Sequence, residues 1–235
     1  MTPAELATVM DHTWPAARQV QLGPCTLRIG AGGGQRVSAT SLAGDWQEAD
    51  LDAAEAAMDG AGQPRLWVVR QGQIALDAAL AARGYRINDP VVAYAAPVEQ
   101  IAAEVSPMAA FLHWPPLAIA RDIWAEGGIG PARVAVMERV TGPKTAILSR
   151  ADDTPSGAAF VAICGKTAML HALEVRPDMR RHGSGAALLH AAANWARDQG
   201  AQVFSLVVTE RNAAARKLYE KAGLQQVGGY HYRVL

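Results

Sequence analysis

Apolar and polar positions change period several times along the last third of the chain. Lys166–Val175 (KTAMLHALEV) is a short apolar run bounded by Gly165 and Pro177, which predicts a strand. From Gly183 to Gln199 the spacing becomes helical. Leu188, Leu189, Ala192 and the pair Trp195–Ala196 share one face, and Gly200 supplies a stop. Val203–Val208 predicts a buried strand, Asn212–Ala222 a second helix closed by Gly223, and Gln226–Leu235 a terminal strand. Upstream, Ala146–Ser149 and Gly157–Ile163 predict hairpin strands across the turn-rich DDTPSG. Pro107–Glu126 and Pro131–Arg139 predict helices, Pro131 suiting a first helical position. Strand–helix–strand–helix alternation after a hairpin implies an α/β or α+β sheet domain over residues 98–235.

The first 97 residues hold a weaker copy of this pattern. With Gly84 set on Gly223, an offset of 139 residues, RLWVVR (65–70) falls on 204–209 without a gap. The helical pattern Gln73–Arg83 then falls on Asn212–Ala222, Asp45–Asp59 falls on Ser184–Asp198, and VVAYA (91–95) falls on the terminal strand. The expected organisation is a degenerate half, 1–97, followed by a complete unit, 98–235, with Pro90, Pro97 and Pro107 punctuating the junction.

Composition narrows the class. Half of the 235 residues are hydrophobic and 19% are charged, enough for a buried core. Lys+Arg and Asp+Glu are both 22, so the basic excess of a nucleic-acid binder is absent. Cys25 and Cys164 stand far apart with no metal-ligand spacing, which suits buried thiols in a reducing compartment. The opening MTPAELATVMDHTWPAARQ lacks the apolar segment of a signal peptide, and no apolar run approaches a membrane span. The expectation is a cytoplasmic protein without metal, nucleic acid or membrane partner; a homodimer is compatible with it, and oligomeric state is left open.

The chemistry concentrates where a strand turns into a helix. Arg180-Arg181-His182-Gly183-Ser184-Gly185 follows the strand and opens the long helix. A helix start offers unpaired N–H groups and the positive end of the dipole. Glycines let an anion approach the backbone, and basic side chains close over it. The spacing fits neither a Walker A loop nor a dinucleotide fingerprint. Taken alone, these six residues could equally be a solvated turn with a helix cap.

The wider stretch VRPDMRRHGSGAALL, followed by NAAARKLYEKAGL, resembles the GNAT superfamily of acyl-CoA N-acyltransferases. Its V-x-P-x-x-R-x-x-G-x-G signature falls on Val175, Pro177, Arg180, Gly183 and Gly185. Its N-x-x-A-x-x-L-Y-x-x-x-G-F signature falls on Asn212, Ala215, Leu218, Tyr219 and Gly223, with Leu224 in place of Phe. The resemblance implies a GNAT-like mixed central sheet flanked by helices, preceded by the degenerate half. It implies acetyl-CoA as co-substrate, with Arg180, Arg181, His182, Gly183, Ser184, Gly185 and Ala186 around the pyrophosphate. Leu173 and Val175 would run beside the pantetheine arm, with a backbone N–H near Leu173 as oxyanion donor and Asn212 touching the arm. Tyr219 would protonate the departing thiolate, after direct attack by a small-molecule or peptide amine.

Attack requires a neutral amine, so a base or a water chain is needed. His171 and Glu174 are the candidates. They point to opposite faces of a regular strand, and a bulge would change that parity. His171 could instead be a packed histidine, and Glu174 a salt-bridge partner of Arg176 or Arg180. His113-Trp114 and Trp124–Glu126 could border an acceptor groove suited to a cationic amine, or be core. At the offset of 139, Arg180 falls on Ser41, Arg181 on Leu42, Gly185 on Trp46, Asn212 on Gln73 and Tyr219 on Leu80; only Gly183 keeps its partner, Gly44. One competent site per chain follows. The run Ala31–Gly34 reads as a hairpin turn. A non-catalytic acyl-CoA-binding module is the alternative function.

Overall fold

The computed structural model describes residues 1–235. The chain opens with α1 (Pro3–Thr13), β1 (Arg18–Leu22), β2 (Cys25–Ile29), β3 (Ser41–Leu42), α2 (Glu48–Gly60), β4 (Leu66–Arg70), α3 (Ile74–Ala82) and β5 (Arg86–Pro97). It continues through α4 (Val98–Ile101), β6 (Ala110–His113), α5 (Ala118–Glu126), α6 (Pro131–Arg139), β7 (Lys144–Ala151), β8 (Thr154–Cys164) and β9 (Thr167–Val175). The last elements are α7 (Ser184–Asp198), β10 (Val203–Thr209), α8 (Ala213–Lys221) and β11 (Gln225–Val234). No helix is long and apolar enough to cross a membrane.

The dominant feature is one mixed sheet of eight strands in the order β4-β11-β5-β10-β9-β8-β7-β6; β1, β2 and β3 form a small sheet apart. One large core, including Leu188, Leu189, Phe204 and Tyr219, lies on the α7 side of the large sheet. A second, including Trp14, Trp124, Met137 and Phe160, lies on the α5–α6 side. Leu51, Met58, Trp67, Leu76 and Leu80 form the core under α2 and α3.

The offset of 139 residues is written into the sheet. β4-α3-β5 superposes in sequence on β10-α8-β11, and the pairings follow. Arg70 faces Tyr230 and Leu66 faces Val234; shifted by the offset, these become Thr209 opposite Val91 and Ser205 opposite Ala95, both present. The helix ends agree as well. Gly84 and Gly223 are both left-handed, at φ +87° and +99°. Behind them Tyr85 N–H donates to the Leu80 carbonyl (3.1 Å) and Leu224 N–H to the Tyr219 carbonyl (3.0 Å), the same C-terminal closure. The last strand of each copy is exchanged: β5 lies between β11 and β10, and β11 between β4 and β5.

One predicted helix needs correction. Pro107–Glu126 is a strand followed by a helix. Ala110–His113 pairs antiparallel with Ala146–Ser149, and α5 begins only at Ala118. Pro115 and Pro116 in succession remove two backbone donors and push their predecessors out of the helical region, so the segment cannot run as one helix. The hairpin strands are longer than their apolar runs, closing around Asp152 and Asp153, both at positive φ. Ala31–Gly34 does begin the connection between the antiparallel strands β2 and β3. That connection is wide, however, and passes through a 3-10 turn at Gln35–Val37.

Candidate active site

The site begins where two parallel strands part. β9 and β10 pair from Thr167–Val203 to Leu170–Leu206 and no further. Beyond that point β9 stays on β8 and β10 stays on β5, so the strands splay. The gap is a cleft of about 470 Å³. Leu170, His171, Ala172 and Leu173 line one side of it; Leu206–Thr209 line the other, with Asn212 and Tyr219 from α8.

A bulge decides what β9 presents. Ala158 faces Glu174 and Phe160 faces His171, so β9 holds one residue more than β8 across this interval. Ala172 absorbs it at φ +51°, a region rare for a residue with a Cβ. His171 and Glu174 therefore share the α5–α6 face, while Leu173 and Val175 pack toward the α7 core. The Ala172 carbonyl accepts from Trp124 Nε1 at 2.8 Å, which fixes the bulge to α5.

His171 is 4% exposed, with both ring nitrogens engaged. Arg36 Nη1 donates to Nδ1 at 3.0 Å. Nε2 lies 2.9 Å from Thr13 Oγ1, whose hydroxyl donates to the Val9 carbonyl at 2.7 Å, so the ring is the Nε2–H tautomer. Burial, reinforced by Arg36, holds its pKa well below the usual imidazole value. Glu174 is different. Burial raises its pKa, and Arg180, with Nη2 3.6 Å from the carboxylate, partly opposes that. Gly127, at the end of α5, makes room for it: a Cβ there would fall 2.5 Å from the Glu174 carboxyl carbon.

Tyr219 is 6% exposed. Burial, and secondarily the Glu174 charge, raises its pKa, so the phenol keeps its proton. Asn212 caps α8, its Oδ1 accepting from Ala215 N–H at 3.1 Å. The side-chain NH₂ is not part of that bond.

At the start of α7, Gly183 is left-handed at φ +85° with open space where a Cβ would stand. The first helical bond runs from Ala187 N–H to the Gly183 carbonyl (3.0 Å), which leaves the N–H groups of Ser184, Gly185 and Ala186 without partners inside the helix. Ser184 turns its hydroxyl inward to Ser156 Oγ (2.8 Å). Gly185 lets α8 close in; a Cβ would meet Leu218 at 3.2 Å. Arg180 and Arg181 are at the surface, and His182 is tied to Asp152 at 3.0 Å. No acidic residue occupies the first helical turn. This free helix start, beside splayed strands, fits a phosphate-bearing thioester.

The expected acceptor border is built differently. Trp124 is fully buried, Trp114 lies over Lys144 Nζ at 4.6 Å, and Glu126 is held by Arg176 through two 2.9 Å bonds. Trp14, Gly33, Gly34, Arg36, Ile129, Arg133, Tyr230 and Tyr232 line the cleft instead. Their positions fall in segments widely separated in sequence, and no motif marks them.

Residues 121–224 match the acetyltransferase (GNAT) family. That segment, a little under half of the chain, is what is similar to GNAT acetyltransferases. Likeness extends beyond that segment. YobR of Bacillus subtilis strain 168, an uncharacterized N-acetyltransferase, is 25% identical over 232 residues, 94% of each chain. A GCN5-related N-acetyltransferase from Kribbella flavida shares the fold at TM-score 0.77 and 18% identity, over 99% of this chain and 95% of that one. A tandem GNAT protein from the clavulanic acid biosynthesis pathway superposes at TM-score 0.64 and 14% identity, over 90% of this chain and 77% of that one.

Proposed function

We propose that this GNAT-family chain is an acyl-CoA-dependent N-acyltransferase, moving acetyl from acetyl-CoA to a primary amine within a ternary complex. The observation that carries the reading is the cleft between β9 and β10, with the unpaired start of α7 beside it and Tyr219 buried in its wall. In this reading residues 1–97 are a repeat that gives up the cofactor site, and 98–235 are the catalytic unit.

Bound acyl-CoA supplies an activated thioester. The N–H groups of Ser184, Gly185 and Ala186 receive the pyrophosphate, Arg180 and Arg181 close over it, and Gly183 and His182 shape the turn. The Leu173 and Val175 main chain holds the pantetheine arm, helped by the Asn212 amide, and Leu173 N–H donates to the thioester oxygen. Glu174, directly or through water, takes the proton the amine must lose. Tyr219 gives its proton to the departing sulfur. His171 suits this less well as the base because its lone pair already accepts from Arg36; it positions the bulge face. A non-catalytic module would not need the open acceptor-side wall of Trp14, Gly34, Arg36 and Arg133.

The test is thermal stabilisation by acetyl-CoA, followed by thiol release with a panel of amines. Stabilisation and amine-dependent release are expected. Stabilisation without release from any acceptor class would return the reading to a binding module, and no stabilisation would remove the cofactor altogether.

A further inference from the structure

The acceptor wall of the cleft carries two positive charges with no counter-charge. Arg36 is partly buried beside the Trp14 ring at 5.9 Å, and its Nη1 is spent on the neutral His171. Arg133 lies over Gly34: a Cβ there would stand 3.3 Å from its Nε and 3.4 Å from its Nη2. Neither has a carboxylate in ion-pair reach. Asp89, the acid that lines the cleft, is taken by Arg211 at 3.1 Å, and Glu174 pairs with Arg180.

Neither placement is one the fold favours by itself. Taking the Arg36 guanidinium partly out of water without a partner anion is unfavourable, a cost its contact with the Trp14 ring offsets only in part. Arg133 sits in the first turn of α6, where the helix dipole disfavours a cation. A third group points the same way. The Tyr230 hydroxyl is buried in this wall beside Arg36 and Tyr232, and no contact to it has full hydrogen-bond geometry. Two forked donors and a buried hydroxyl around a water-accessible cleft are the complement of an anionic group.

We propose that the acceptor is a small amino-carboxylate, its carboxylate held by Arg36 and Arg133 with Tyr230 as a third donor, so that its amine is aimed at β9. This rests on the acyltransferase reading and narrows it. Guanidinium forks match a planar carboxylate through paired N–H···O bonds. The cleft of about 470 Å³ must also take the thioester end of the cofactor, which restricts the acceptor to small molecules.

The experiment uses matched acceptors: phenylalanine, methionine and glutamate, each beside its decarboxylated amine, its carboxamide and its aminophosphonate analogue. Thiol release is measured with the full chain. N-acetyl amino acids are titrated calorimetrically in the presence of CoA as a binding readout independent of turnover. The amino acid should exceed its amine and its amide at least about 30-fold in kcat/KM. Arg133→Gln, on the exposed start of α6, and Arg36→Gln should each weaken carboxylate binding about 10- to 100-fold, as loss of a charge-assisted pair implies. The acetyl-CoA Kd should stay at the parent value in both, which also shows that each variant is folded.

Equal use of amine and amino acid overturns the proposal and leaves the acyltransferase standing. So does acetyl-CoA binding with neither turnover nor titration of any carboxylate. Preference for the phosphonate replaces carboxylate by phosphate as the recognised group. Failure to bind acetyl-CoA at all sinks the underlying function instead.

Discussion

Two helix starts in this chain hold the same glycine and have opposite chemistry. Gly183 and Gly44 are related by the offset of 139 residues, are left-handed at φ +85° and +82°, and have open space around the missing Cβ. After Gly183 the helix begins at once, with Arg180 and Arg181 before it and no acid in its first turn. After Gly44 come Asp45, Trp46 and Gln47, and α2 starts with Glu48 and Asp50, carboxylates that favour the helix and repel a phosphate. Farther on, Gln73 donates to the Leu42 carbonyl (2.8 Å) and accepts from Arg70 N–H (2.8 Å), bracing β3 to β4. Its counterpart Asn212 caps only its own helix beside open strands. Leu80 is fully buried where Tyr219 lines a cleft. Local backbone geometry is shared by the two segments, so what would separate the proposed site from its counterpart is charge and one unbraced pair of strands.

Separating the copies would have the largest effect. β5 is paired on both sides by strands of the other half, so fragments 1–97 and 98–235 each expose unpaired edges. Neither should give a cooperative thermal transition alone, and mixing them should restore one. A fragment 1–97 that melts cooperatively would mean the halves are independent.

Tyr219→Phe comes next. In the proposed mechanism the hydroxyl acts only as the sulfur leaves, so kcat should fall about 10²- to 10⁴-fold. The ring keeps its place against Tyr94, 6.2 Å between centroids, so the acetyl-CoA Kd should hold. Leu80→Phe at the matched position should leave kcat alone. A Tyr219→Phe enzyme within about threefold of the parent removes the residue from proton transfer.

A smaller effect concerns pH. Burial raises the Glu174 pKa and Arg180 lowers it. With Glu174 as the proposed base the carboxylate is the working form, so activity should rise with pH through a limb placed above that of an ordinary glutamate. Arg180→Gln removes the opposing charge and should move the limb to higher pH, measured as kcat at saturating acetyl-CoA. Glu174→Gln should abolish the limb. A limb that stays in Glu174→Gln assigns it to another group.

How much of this could be read from the sequence depends on where each signal is stored. Helices α7 and α8 and strands β9 and β10 were legible because each carries its own period and its own glycine stop. Residues 110–113 were not, because a four-residue edge strand is defined by the hydrogen bonds of β7 rather than by its own pattern. The proposed cofactor side rests on two local motifs, each readable from its own residues. The parity of His171 and Glu174 hung on one extra residue at Ala172, which side-chain type does not announce. The acceptor wall was invisible, since Trp14, Arg36 and Arg133 meet only after α1, the 3-10 turn and α6 are placed around one cleft.

The central claim is that one half of this duplicated chain binds acyl-CoA and the other does not. Calorimetric titration of acetyl-CoA into the parent, Gly183→Asp and Gly44→Asp tests it directly. Both substitutions put a side chain at positive φ with open space around it, so both should cost about 1 kcal/mol of stability and no more. One site per chain is expected in the parent. Gly44→Asp should leave that site intact, and Gly183→Asp should weaken it at least about 100-fold by placing a carboxylate against the phosphates. Two equivalent sites, or equal affinity in the two variants, would contradict the account.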